Sequence, residues 1–243
     1  MKIDLNADVA EGFAFDEPLM GIVSSANICA GLHAGGVADM MKTLAYARDN
    51  KVNIGIHPSY DDRENFGRTN HTLPAEEVRA LMFYQMAAVT SVCRLFDLTP
   101  SYVKPHGALY NQASTDATLA LTIAQAVYEF NPKLALMGLS GGELIRAGEA
   151  AGLRTISEVF ADRRYNPDGT LVSRSLDYAL ITDEAQAVAQ VLRMVKNKEV
   201  VAVDGSVISL AVDSICLHGD GEHALAFAKK IKEVLMENGI AIG

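Results

Sequence analysis

The chain has 243 residues, 49% of them hydrophobic, and carries a net charge of -9 at neutral pH. That length suits one domain with a sizeable core, and an acidic chain with a pI near 5.1 argues against nucleic acid or an anionic membrane as main partner, because both need a basic footprint. Three widely spaced cysteines, Cys29, Cys93 and Cys216, indicate neither a disulfide framework nor a cysteine zinc site, and without an apolar run of 18 residues or a signal-peptide core the sequence predicts a soluble cytoplasmic protein.

The first strand alternates Ile3, Leu5 and Ala7 with Asp4, Asn6 and Asp8, which gives one apolar and one polar face. Such a pattern suits a half-exposed strand or a strand whose polar face points into a concave interior. A second run, 22–29, leads through Asn27 to His33 and Gly35-Gly36, and a helix follows with Val37, Met40, Met41, Leu44 and Ala45 at helical spacing. Residues 53–57 form a third strand stopped by Pro58, and the long polar loop 57–68 has the character of a functional loop. A helix from Pro74 to about residue 97 has an apolar stripe of Val78, Leu81, Met82, Val89, Val92 and Phe96. Gln85 shares that stripe, as a satisfied core amide or as a support for the neighbouring loop.

The fourth strand, 101–105, runs into Lys104-Pro105-His106. A helix over 114–130 and a strand over 134–138 follow, then a helix opened by Ser140 and Glu143 as a capping box. After a strand at 154–160, Asn166-Pro167-Asp168-Gly169 marks a hairpin-like excursion. Thr182 caps a helix to about 197, residues 200–203 and 207–217 are rich in strand formers, and the last helix ends near 238. Alternating strands and helices with short connections predict one α/β domain over 1–243 with a parallel sheet. About seven repeats favour a closed or nearly closed barrel, with ligand sites at the carboxyl ends of its strands.

Four of the six histidines, His33, His57, His106 and His218, fall at or just after predicted strand ends. Asn6 and Asp8 share one strand face, as do Asn53 with His57 and Lys104 with His106. If those faces point inward, carboxylate, imidazole and ammonium groups meet at one mouth. The candidate catalytic set is therefore Asp8, Glu11, His57, Lys104 and His106. Asn6 supports it, while Asp4, roughly 13 Å below Asp8 along a strand, belongs to the barrel floor. Glu11 has the alternative of a solvated loop acid, and His33 that of orienting the Gly35-Gly36 turn.

Such a group can hydrolyse a carbon–nitrogen or ester bond, with a carboxylate or neutral imidazole taking a proton from water and Lys104 stabilising an oxyanion or binding an anionic substrate. Aspartate with histidines can equally hold a divalent metal that activates water, although HExxH is absent. GxxxxGK[ST] is absent too, so any ATP is not bound in the P-loop manner.

Taken in order, Asp4-Leu5-Asn6-Ala7-Asp8 with Glu11, residues 27–35, 55–60 with Phe66-Gly67-Arg68, 103–111, 158–165 with Leu171-Val172-Ser173-Arg174, and 215–220 resemble the LamB/YcsF family along the whole chain. Three departures are Ala7 where cysteine is usual, Ala10 where glycine is usual, and Cys29-Ala30 in reversed order. The resemblance implies an irregular (β/α) barrel like that of carbohydrate deacetylases. It also implies ATP-dependent opening of 5-oxoproline to L-glutamate as component A of a 5-oxoprolinase, with subunits B and C as partners. On that reading Asn6, Asn27, His33, Arg68 and Arg174 are the candidate substrate-binding residues, and Arg68, Arg174 or Lys104 would hold the substrate carboxylate. Arg163 and Arg164 are further candidates for that role, although adjacent basic residues on a loop are more often solvated or partner-facing. The alternatives are a metal-dependent carbohydrate deacetylase or amidohydrolase, and a non-catalytic subunit that delivers 5-oxoproline.

Overall fold

Alternating apolar strands and amphipathic helices fold here into a closed parallel barrel. The structure is a computed structural model that describes residues 1–217 and 222–243, and of 222 and 223 the backbone alone. Its strands are β1 (Lys2–Val9), β2 (Ser25–Cys29), β3 (Asn53–His57), β4 (Tyr102–Val103), β5 (Ala135–Leu139), β6 (Thr155–Phe160), β7 (Glu199–Val201), β8 (Val207–Ser209), β9 (Ser214–Leu217) and β10 (Ala241–Ile242). Between them run α1 (Asp16–Met20), α2 (Val37–Asn50), α3 (Ala75–Cys93), α4 (Gly107–Ala113), α5 (Ala117–Phe130), α6 (Glu143–Ala150), α7 (Glu184–Asn197) and α8 (Glu222–Glu237).

Strands β1 to β6 pair in parallel in chain order, β6 pairs with β9, and β9 returns to β1, closing a ring of seven. The last strand, β10, adds to the start of β1, and β7 with β8 forms a separate antiparallel pair. Both β2 and β5 are buried along their whole length, as parallel strands covered by helices are. Outside them, α2 buries Met40, Leu44 and Ala47, and α5 buries Ala120, Ile123, Ala124 and Val127.

Asn6 of β1 hydrogen-bonds Glu158 of β6 and Asn27 of β2, so the polar face of β1 points into the barrel. Asp4 sits deeper on that face, accepting from Ser24 and Ser25 at 2.6 Å each and from Ser214. Close packing is visible at Gly55, where an added Cβ would stand 2.2 Å from the Tyr102 ring. Ala10, flagged as a departure, adopts the left-handed region with φ 63°, which a glycine would take at less cost.

Several element boundaries differ from the sequence reading. Ser140 does not cap α6: the N-cap is Gly142 with no side-chain cap, while the Ser140 amide instead donates to the Glu158 carbonyl at 3.0 Å. Asp183, not Thr182, caps α7, accepting from the Gln186 amide. Both α1 and α4 are helices too short to leave a periodic signal, and α3 stops at Cys93 before a 3-10 turn over Arg94–Phe96. The excursion after β6 is as expected, with Tyr165 bridged to Leu171 around the Asn166 turn.

Candidate active site

Parallel strands deliver their carboxyl ends to one mouth, and β1, β3 and β4 there present Asp8, His57, Lys104 and His106. Lys104 is buried between two carboxylates, with its ammonium 3.0 Å from Asp8 Oδ1 and 2.7 Å from Glu158 Oε1. Burial works against that charge, but Asp8, the Cys216 sulfur and Glu158 outweigh it and raise the Lys104 pKa well above its usual range. Burial likewise opposes the Asp8 charge, yet His57 and Lys104 hold its carboxyl well below the usual carboxylate range. Asn27 Nδ2 donates to Asp8 Oδ1 at 2.7 Å and to Asn6 Oδ1 at 2.7 Å, and Lys104 donates to Asn6 Oδ1 at 3.1 Å. Asn6 and Asn27 thus brace the Asp8–Lys104 pair from below.

The histidines form a second layer whose protonation follows from their partners. His57 Nδ1 lies 2.7 Å from the Lys104 carbonyl and His106 Nε2 lies 2.9 Å from the Phe66 carbonyl. A carbonyl can accept but not donate, so both nitrogens carry protons. In the neutral rings, His57 Nε2 and His106 Nδ1 are then bare, and they face each other at 2.9 Å. Asp8 Oδ2 stands 3.3 Å from that His57 nitrogen, and Glu11 Oε1 stands 3.6 Å from His106 Nδ1. Two lone pairs and two carboxylates around one point make a site for a cation, either a proton that the pair takes up and shares or a metal ion.

The donor set fits a metal. Glu11, His33, His57 and His106 are all buried, and one ligand atom from each lies within 4.8 Å of the others, compatible with bonds of about 2.0–2.2 Å to a common ion. Backbone carbonyls that fix the far nitrogens of His57 and His106 are the usual outer partners of ligating imidazoles. His33 stacks flat on His106 with centroids 3.7 Å apart and hydrogen-bonds Glu11 at 2.8 Å. Burial, followed by the neighbouring imidazoles His106 and His57, pushes the His33 pKa far down, and burial with His57 lowers that of His106 to about 3. Both rings therefore stay neutral near pH 7.

A cavity of about 550 Å³ opens above this centre, with Asp8, Glu11, His57, Lys104 and His106 at its lining. Arg68 and Arg174, both exposed, line it as well, whereas Asn6, Asn27 and His33 lie beneath or beside the lining. His218 lies outside the described residues. Two residues at the centre and its cavity stand out more in the structure than in the sequence. Glu158, fully buried in β6, is the second anion that a buried lysine needs, and as a lone carboxylate on a strand it left no local signal. Arg163, for which a solvated or partner-facing place was set above a carboxylate-holding one, is 4% exposed and lines the cavity, because strand-like alternation turns it inward. Gln85 is fully buried, exchanging two 2.8 Å hydrogen bonds with the Ser59 backbone, and so holds the loop after β3.

Fold and site together define a seven-stranded parallel α/β barrel with a buried carboxylate–imidazole–ammonium centre at its strand ends. The chain belongs to the LamB/YcsF family, which it matches over residues 3–243. It is 54% identical over 241 residues to the A component of 5-oxoprolinase from Neisseria meningitidis serogroup A, a match covering 99% of this chain and 98% of that one. The crystal structure of a lactam utilization protein from Thermus thermophilus matches with a TM-score of 0.93 at 36% identity, covering 100% of this chain and 99% of that one. A deacetylase, T48, solved with its substrate, shares the fold alone, with a TM-score of 0.53 at 13% identity over 100% of this chain and 87% of that one. Among the described residues no helix is long and apolar enough to cross a membrane.

Proposed function

We propose that this chain is the A component of an ATP-dependent 5-oxoprolinase. In this reading its barrel centre opens the 5-oxoproline lactam to L-glutamate in the cytoplasm, with subunits B and C as partners. The observation that carries the reading is the 54% identity, end to end, to a relative named for that enzyme. Supporting it is a cavity that joins a base, a buried ammonium and arginines, the groups that an anionic cyclic amide needs.

A lactam is resonance-stabilised and its ring nitrogen leaves poorly, so ATP consumed by the complex supplies the driving force. His57 Nε2 is the basic nitrogen presented to the cavity, with its far side fixed on the Lys104 carbonyl. An imidazole takes a proton from water near neutral pH, and Asp8 at 3.3 Å stabilises the imidazolium that forms. His106 Nδ1, 2.9 Å away, is the acceptor that shares this proton. Returned to the ring nitrogen, the proton lets it leave as an amine. Lys104 keeps Asp8 ionised and brings positive charge beside the reacting carbonyl. Glu11, His33, His57 and His106 are the residues that would hold a divalent ion in place of that shared proton; it would polarise the carbonyl and acidify water, the base role of His57 then passing to the ion.

The test is release of glutamate and ADP from 5-oxoproline and ATP by this chain with its two partner subunits. Product from the complete mixture and none when this chain is omitted is the expected result; silence of the complete mixture refutes the proposal. Elemental analysis of the purified chain, with activity before and after chelation, decides whether proton or metal fills the histidine site.

A further inference from the structure

Among the described residues, Arg163 is the cavity cation that combines burial with the lack of an ion-pair partner, Asp162 acting on it only at longer range. It is 4% exposed, and among the described residues it forms no ion pair. One terminal nitrogen donates to the Val172 carbonyl at 2.6 Å, while Nε is buried with no hydrogen-bond partner. The backbone that carries it is pinned by a bridge to Leu180 and by Gln190, which donates to the Arg163 carbonyl at 2.9 Å. A buried guanidinium is costly without an anion, and its planar fork matches a carboxylate. Lys104 cannot serve that purpose, because Asp8 and Glu158 already hold it.

We infer that Arg163 is the specificity-determining residue of the cavity, anchoring the carboxylate of a small carboxylate-bearing lactam. This rests on the proposed function. Two further observations agree with it. Burial, and after it the nearby Arg174 charge, pulls the Arg163 pKa down to about 10, a cost that a bound carboxylate relieves. Arg163 also shares the cavity lining with Asp8 and His57, so a ligand held at the wall faces the reacting centre.

Steady-state kinetics of the complete complex, with Arg163→Gln in this chain, test the inference. A carboxylate contact persists from ground state to transition state, so its loss raises KM and leaves kcat nearly unchanged. The expected rise in KM for 5-oxoproline is about tenfold to a hundredfold, the range of a charge-assisted hydrogen bond. Inhibition by 2-pyrrolidinone, the same ring without the carboxylate, stays within twofold of the unaltered enzyme. A KM within twofold of the unaltered enzyme, or a loss confined to kcat, overturns the inference and leaves the proposed function standing. If Arg163→Gln melts early, Arg163→Lys keeps a donor for Val172 but loses the fork; there a KM raised at least threefold supports the anchor and an unchanged one refutes it. No glutamate from the unaltered complex overturns the proposed function, and the anchor falls with it.

Discussion

Replacing Lys104 with Met should be among the most damaging single changes to the stability of this barrel. Its ammonium bridges Asp8 at 3.0 Å and Glu158 at 2.7 Å, and Glu158 is fully buried. Removing one partner from a buried ion pair leaves an uncompensated charge and costs about 3–5 kcal/mol. For a chain of this size each kcal/mol shifts Tm by roughly 2–4 °C, so Lys104→Met should melt about 6–20 °C below the unaltered protein. Adding Glu158→Gln to Lys104→Met should recover part of the stability, because the stranded charge is gone. Urea unfolding of the single and the double variant measures both effects. A deficit below about 1 kcal/mol, the size of an exposed pair, with no recovery in the double variant would refute the buried-triad reasoning.

Gly55→Ala should cost about 2–3 kcal/mol, or roughly 4–12 °C in Tm by scanning calorimetry, because the new methyl collides with the buried Tyr102 ring. Gln85→Met leaves the Ser59 amide and carbonyl without their partner, at about 1–3 kcal/mol for each buried group; faster amide hydrogen exchange in the loop after β3 is the expected signature. In chelator, stability should fall on the acid side. His106 has its pKa lowered to about 3 and that of His33 lies lower still, so below the unfolded value of about 6.5 the unfolded chain takes up protons that the folded one refuses. Each residue then contributes about 1.4 kcal/mol of loss per pH unit as pH falls from 6.5, the His106 share levelling off near 3. Urea midpoints that do not move between pH 7 and 5 would contradict this.

The barrel and its mouth were legible because β1, β3 and the β4 end carry polar residues at a period of two on otherwise apolar strands. Asp8, His57, Lys104 and His106 then followed from parity and from the rule that parallel strands converge at their carboxyl ends. Glu158 was not, since a single carboxylate between Ser157 and Val159 has no local signal; its need appears when Lys104 is seen to be buried. Arg163 and Arg164 look equivalent as a dipeptide, and tertiary structure turns one into the cavity and leaves the other half-buried. The histidine tautomers lay beyond any sequence pattern, because they are set by the backbone carbonyls of Lys104 and Phe66. Short helices were lost for want of periodicity, and Ser140 does not cap α6 because Gly142, in an extended conformation, takes the N-cap position.

The central claim is that His57 Nε2 serves the reaction in this chain. Its most direct test is glutamate release by the assembled complex carrying His57→Ala, with assembly checked by gel filtration and 5-oxoproline binding by calorimetry. A loss of about 10²–10⁴-fold in kcat, with assembly and substrate binding retained, is the predicted result. Turnover within twofold of the unaltered complex would contradict it and make this chain a carrier of substrate for its partners.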